Sequence, residues 1–304
     1  MSKIADIVKV YEAKTTGKLG VGFLDLDTGE EFYSNGDMVF PAASKFKIPL
    51  LIGLFDEVAK GNASLDELHT LKEEEWSIGS GVLSLLKPGV TMPLRDYALL
   101  MMILSDNTAT DVVYRYLGID RINQIIKKMG LKQTRCDYTC DHLVRLMYCV
   151  PLDISARAAI DMFNGVTPFD DRLYSDIDGP NIVSSPKDMV KMFAQIYRGE
   201  VASRQGCDEM IEMMAKCQTN SRIPFLLPKS GPMQPKIAHK TGTLSMVAND
   251  SGIIMAGGHN YILSIFCYGY EATEDEKEQY IKGPFFDILM AELSRDVFYA
   301  VCRK

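Results

Sequence analysis

Apolar residues recur at two different periods along this chain, and the places where the period changes outline its architecture. Over the first twenty residues Ile4, Ile7, Val8 and Tyr11 fall at helical spacing with Gly17 beyond them, which predicts an amphipathic helix. LGVGFLDLD and EEFYSN follow, two strand-like runs parted by Thr28 and Gly29, and read as a hairpin. The stretch 40–61, FPAASKFKIPLLIGLFDEVAKG, returns to the helical period. Pro49 is expected to kink this helix in its second turn, and Gly61 with Asn62 marks its end.

From about residue 64 to 220 the pattern is almost wholly helical. PLRDYALLMMIL reads as a buried helix, NTATDVVYRYLG as a second closed by Gly118, and IDRINQIIKKMG as a third closed by Gly130. SSPKDMVKMFAQIYRG has Ser185 as cap, Pro186 at the first helical position and Gly199 as its stop. Between Cys136 and Pro180 the period is broken by Pro151, Gly165 and Pro168, which predicts a long functional loop. Strand character resumes at KIAHKTG and runs through SMVANDSGIIMAGG and NYILSIFCYGY, with Gly257, Gly258, His259 and Asn260 as a turn, before a last amphipathic helix, GPFFDILMAELSRDVFYAVCRK. Strands thus lie at both ends of the chain and helices fill its middle. The predicted class is α+β: an antiparallel sheet of about five strands, flanked by terminal helices and built from 1–40 and 220–304. An all-helical domain, 41–219, is inserted, and the active site is expected at the interface of the two.

Composition narrows the function. A chain of 304 residues with 47% apolar and 24% charged residues is an ordinary globular protein with room for a large core. Its formal charge of −7, without any Lys/Arg block, argues against nucleic acid as a partner. The longest apolar run, YALLMMIL at 97–104, falls far short of the roughly 20 residues of a membrane span. Asp6 and Glu12 and the lack of an apolar block at the amino terminus do not read as a secretory signal, so with Met1 as the natural start a cytoplasmic location is expected. Seven cysteines without a framework spacing fit reduced thiols. Cys136, Cys140 and Cys149 crowd together with Asp141 and His142, which raises a zinc site, but no C-x-x-C knuckle is present; scattered buried thiols and no metal are expected.

The chemistry rests on three short motifs. Ser44 and Lys47 stand three residues apart at a helix start, which places them on one side of the helix. A serine hydroxyl needs a neighbouring base to attack at neutral pH, and a desolvated lysine can serve. A lone S-x-x-K reads more readily as a capping serine followed by a solvated lysine. Downstream, however, Ser105, Asp106 and Asn107 lie where one helix hands over to the next, and Lys240, Thr241 and Gly242 lie on the first strand after the helical stretch.

S-x-x-K, S-D-N and K-T-G in that order are the signature of class A β-lactamases and penicillin-binding proteins. The chain resembles the class A β-lactamase-like serine hydrolases over nearly its whole length, with VGFLDLDTGEEFYSN, KKMGLKQTR and AHKTGT also similar to family segments. The resemblance implies that Ser44 is the acylated nucleophile and Lys47 its proton acceptor or relay. Ser105 would pass a proton to the leaving nitrogen, and Asn107 would position a substrate amide and Lys47. Lys240, with Thr241 and Thr243, would hold a substrate carboxylate, Gly242 would let the substrate backbone come close, and the amides of Ser44 and Thr243 would form the oxyanion hole. The implied partner is a small molecule carrying a carboxylate, with no cofactor.

One position departs from the family. Its members carry a water-activating glutamate in the loop after a T-R-x-D segment; aligning Thr134, Arg135, Cys136 and Asp137 on that segment puts Cys140 in the glutamate's place. Asp137 and Asp141, then Asp153, are candidate substitutes, and His142 is a weaker one. Two functions follow: a hydrolase of a cyclic amide or related small amide or ester, with slow deacylation, or a penicillin-binding or sensing module that is acylated and stays so. WSIGSGVLSLLKPG, 76–89, is expected at the cleft rim.

Overall fold

The structure, a computed structural model, describes residues 3–15, 17–165, 170, 177–269 and 285–302. Its frame is a five-stranded antiparallel sheet made of β1 (Lys18–Asp25), β2 (Glu31–Ser34), β3 (Lys236–Leu244), β4 (Val247–Ala256) and β5 (His259–Tyr268), in the order β2-β1-β5-β4-β3. Strands from both ends of the chain therefore join in one sheet, meeting where β1 pairs with β5, as their positions in the sequence predict. β4 and β5 are covered on both faces, which is why they read as near-continuous apolar runs instead of alternating ones.

Alternation in β1 shows how the two faces are used. Leu19, Val21 and Phe23 point into a core shared with Ile4, Val8 and Tyr11 of α1 (Lys3–Glu12) and with the buried face of the carboxy-terminal helix, Phe285–Cys302. Gly20 and Gly22 occupy the opposite face, where a Cβ would come within 2.6 Å of Phe40 and 2.7 Å of Val190. Their missing side chains let a helix from the middle of the chain lie directly on the sheet.

The middle of the chain supplies α2 (Lys47–Ala59), α3 (Leu94–Ile103), α4 (Asn107–Leu117), α5 (Ile119–Lys128), α6 (Cys140–Met147), α7 (Ala156–Phe163), α8 (Pro186–Arg198) and α9 (Arg204–Met214); the terminal helix is α10 (Phe285–Cys302). α2 is buried through most of its length, with α3, α4, α5, α8 and α9 packed around it, and Leu51, Leu54, Met101, Val113 and Phe193 lie in this larger core. α8 keeps the predicted Ser185 cap, whose hydroxyl accepts from the Asp188 amide, and the predicted Gly199 stop.

Several expectations are corrected in detail. The stretch 41–219 is not purely helical: Phe40–Pro41 and Arg135–Cys136 flank Ile182–Ser184 in a small three-stranded sheet, and Leu68–Thr70 pairs with Thr91–Pro93. Pro49 lies in the first turn of α2, where no intrahelical N–H is required. The first hairpin turns through 26–30, with Asp25 Oδ1 accepting from the amides of Asp27 and Thr28. Gly257 and Gly258 alone make the last turn, both at positive φ, and His259 and Asn260 already belong to β5. The predicted long loop holds α6 and α7, while 166–169 and 171–176 of it lie outside the described residues. Among the described residues no helix is long and apolar enough to cross a membrane.

Candidate active site

Ser44 sits in a 3-10 turn, Ala43–Phe46, that runs straight into α2 at Lys47. Side chains three residues apart share one side of such a turn, which places Ser44 and Lys47 on the same side of the chain. Ala43 enters the turn at φ +46°, a conformation costly for a residue with a side chain. Ser105 is likewise at φ +55°, in the junction between α3 and α4.

Lys47 and Lys240 converge on that junction. The Lys47 amine is 3.1 Å from Ser105 Oγ, 2.7 Å from its carbonyl oxygen and 2.9 Å from Asn107 Oδ1. From the edge strand β3 the Lys240 amine reaches the same Ser105 Oγ at 3.1 Å and the Thr241 carbonyl at 2.8 Å. Both lysines are fully buried. Burial, then the charge of Lys47, lowers the Lys240 amine to about 7; burial also lowers that of Lys47. Two ammonium groups sharing one hydroxyl in a desolvated site repel, so a neutral amine there becomes accessible near pH 7.

Beside this cluster lies a cavity of about 380 Å³ whose lining includes Ser44, Ser80, Asn107 and Thr243. Among the described groups, the Ser44 hydroxyl makes no hydrogen bond and faces this space. Ser44 and Thr243, whose amides are the expected oxyanion pair, both border it; Thr241 is buried beneath, two residues along the same face of β3. Gly242 has a structural reason not foreseen in the sequence: a Cβ there would lie 2.6 Å from the Ala42 carbonyl oxygen, so the strand packs against the Ser44 turn itself. Gly242→Ala is expected to displace that turn and to depress any Ser44 chemistry at least tenfold, as measured by acylation rate.

The candidate bases are not at the cavity. Asp137 accepts from the Asn181 amide at 2.8 Å and Asp141 pairs with Arg145 at 2.7 Å while accepting from the Ile78 amide. Asp153 is exposed, and His142 stacks on Tyr138 with ring centroids 4.7 Å apart. None of these four lines the space in front of Ser44, whereas Cys140 does. Burial pushes the Cys140 thiol upward, so it is a neutral group at physiological pH. Cys136 and Cys140 are buried and Cys149 exposed, and no three His, Cys, Asp or Glu side chains among the described residues are placed to hold a metal.

Sequence reading missed the residues that hold this arrangement. Asp111, buried in α4, accepts from the amides of Cys140 and Asp141 and from the Ser77 hydroxyl, pinning the start of α6 to the site. Asp106 caps α4 through the Ala109 amide and also accepts from the amides of Val82 and Leu83; Ser80 donates to the Ser105 carbonyl at 2.7 Å. The expected rim 76–89 is thereby tied to the S-D-N turn, with Gly79 and Ser80 as its cavity-facing residues. Arg222 donates to the carbonyls of Gly242 and Asn249 and to Thr243 Oγ1, and pairs with Asp287 at 2.7 Å. Arg222→Ala would strand a buried carboxylate and is expected to cost about 3–5 kcal/mol in urea unfolding.

The profile of the family described as "Beta-lactamase enzyme family" matches residues 1–283. Beta-lactamase CARB-4 of Pseudomonas aeruginosa is 28% identical over 130 residues, 42% of this chain and 45% of that protein; the chain thus matches about half the length of the first such relatives. The crystal structure of a beta-lactamase from Sphaerobacter thermophilus superposes with a TM-score of 0.77 at 25% identity, covering 98% of this chain and 97% of that one. A mutant of PBP-A, solved as an acyl-enzyme complex with penicillin G, gives 0.75 at 26% identity, covering 98% and 95%.

Proposed function

The chain belongs to the beta-lactamase enzyme family, and from that premise we propose that it is a serine hydrolase acting through an acyl-enzyme on Ser44, with a β-lactam or a related small amide or ester as substrate. The observation that carries the reading is the convergence of the Lys47 and Lys240 amines on Ser105 Oγ, beside a cavity into which the Ser44 hydroxyl is free to react. Ser44 Oγ attacks the carbonyl carbon and its proton passes to the Lys47 amine, whose burial favours the uncharged form. The amides of Ser44 and Thr243 take up the developing oxyanion, and Ser105 delivers a proton to the departing nitrogen. Lys240, flanked by Thr241 and Thr243, holds the substrate carboxylate.

Cys140 favours a second reading of the later step. A neutral thiol stands where the cavity meets α6, and no carboxylate is among the described residues lining that space, so the water that would free the enzyme lacks a strong base. The protein is then acylated quickly and released slowly, which is the behaviour of a penicillin-binding or sensing protein. A chromogenic β-lactam should give a burst of about one equivalent followed by slow turnover; linear fast turnover would remove the second reading, and neither burst nor turnover would count against the first.

The pH dependence follows from Lys240. Its amine is charged below about 7 and neutral above, so the second-order acylation rate of a carboxylate-bearing substrate should fall as pH rises through that value. Lys240→Arg keeps the charge and should move the falling limb to higher pH; an unmoved limb would detach it from this residue.

A further inference from the structure

Next to Lys240 in the chain, but on the other face of β3, begins a cluster that the acylation chemistry does not use. His239 on β3 and Asp250 on β4 are both buried, with the ring Nδ1 lying 3.0 and 3.2 Å from the two carboxylate oxygens. The ring's other hydrogen-bond partner is the side chain of Cys217, in the segment that follows α9. That sulfur also takes the amide of Thr219, so two N–H donors converge on it. Its backbone is fixed on either side: the Gln218 amide donates to the Ile103 carbonyl at 3.0 Å, and Asn220 Nδ2 donates to the Cys217 carbonyl at 3.1 Å.

Burial opposes charge on both partners. On His239 the Asp250 carboxylate and the contact with Cys217 outweigh it and lift the imidazole to about 10. On Cys217 the hydrogen bond and the charge of His239 outweigh it and bring the thiol below its ordinary value, whereas burial pushes the thiols of Cys136, Cys140 and Cys267 upward. The three residues thus form a carboxylate-backed thiolate–imidazolium pair. Cys217 is 6% exposed, beside the exposed Gln218, Thr219 and Asn220, so its sulfur lies one layer below the surface, within reach of a water-sized reagent and closed to a bulky substrate.

We propose that Cys217 is a modification site, a nucleophilic thiolate that hydrogen peroxide oxidises to a sulfenic acid, with His239 as proton donor and Asp250 holding its ring. The sulfur attacks one peroxide oxygen, and an S–O bond forms as the O–O bond breaks. Sulfur gives up two electrons, and the departing hydroxide takes the His239 proton and leaves as water, so that a neutral sulfenic acid remains beside a neutral imidazole. The step draws on no part of the Ser44 chemistry and is tested apart from it.

The full reduced chain is exposed briefly to hydrogen peroxide, quenched with catalase and unfolded in iodoacetamide, and peptide mapping then reads which cysteines have lost their free thiol. Cys217 should lose it about ten- to thirtyfold faster than the exposed Cys149, because an unassisted thiol is mostly protonated near pH 7. In His239→Gln the rate at Cys217 should fall to that of Cys149 or below. A rate at Cys217 no higher than at Cys149 in the unaltered protein would overturn the proposal, whether or not the variant folds. So would an unslowed rate in His239→Gln with native circular dichroism, or the lack of a thiolate ultraviolet band that Cys217→Ser removes.

Discussion

Lys47→Ala is expected to slow acylation of Ser44 by about 10³-fold while the protein stays folded, because the substitution removes the proton acceptor and leaves the nucleophile in place. The lysine is a buried amine held by three acceptors, Ser105 O, Ser105 Oγ and Asn107 Oδ1, two of which keep another donor when it is lost. Ser105 O keeps the Ser80 hydroxyl at 2.7 Å and Ser105 Oγ keeps Lys240, while Asn107 Oδ1 gives up its 2.9 Å donor. A second consequence separates a lost base from a collapsed site. Since the Lys47 charge is one reason the Lys240 amine lies near 7, Lys47→Ala should raise it and carry the alkaline limb of the residual rate upward. Stopped-flow acylation across pH checks both; an acylation rate within about threefold of the unaltered protein would take the base role away from Lys47.

Cys140→Glu should act on the other half of the cycle and accelerate deacylation by about 10²-fold. Position 140 borders the cavity that Ser44 faces, and its backbone is held by the Asp111 carboxylate through bonds that a side-chain change leaves intact. The glutamate would bring a general base to a site where burial now keeps a thiol neutral. Decay of the acyl adduct, followed by mass after a single addition of β-lactam, measures it. Persistence of the adduct in the variant would mean that the slow step lies elsewhere than in the missing carboxylate.

What could be read from the sequence and what could not divide along physical lines. The five strands, their origin at both ends of the chain and the long helices were legible because the helices carry a sustained period and the strands are short runs bounded by turn residues. Phe40–Pro41, Arg135–Cys136 and Ile182–Ser184 were not, since strands of two or three residues show no period and exist only by pairing with distant partners. Lys47, Ser105, Asn107 and Lys240 could be named in advance because their motifs are local, and the structure does bring these four together. Asp111 and Arg222 carry no local signature. Asp111 acts on amides about thirty residues away, and Arg222 on a strand about twenty residues downstream, so only the folded chain identifies them. Asp137 and Asp141 were plausible by proximity in sequence, yet each is engaged by a backbone amide or Arg145 and neither is among the described residues that line the cavity.

The central claim is that Ser44 is the acylated residue, and intact-mass measurement of the full chain mixed with penicillin G, followed by peptide mapping, addresses it most directly. The account predicts one added penicilloyl mass on the peptide containing Ser44 and no added mass in Ser44→Ala. Labelling that survives in Ser44→Ala, or an adduct mapped to another residue such as Cys140, would contradict it.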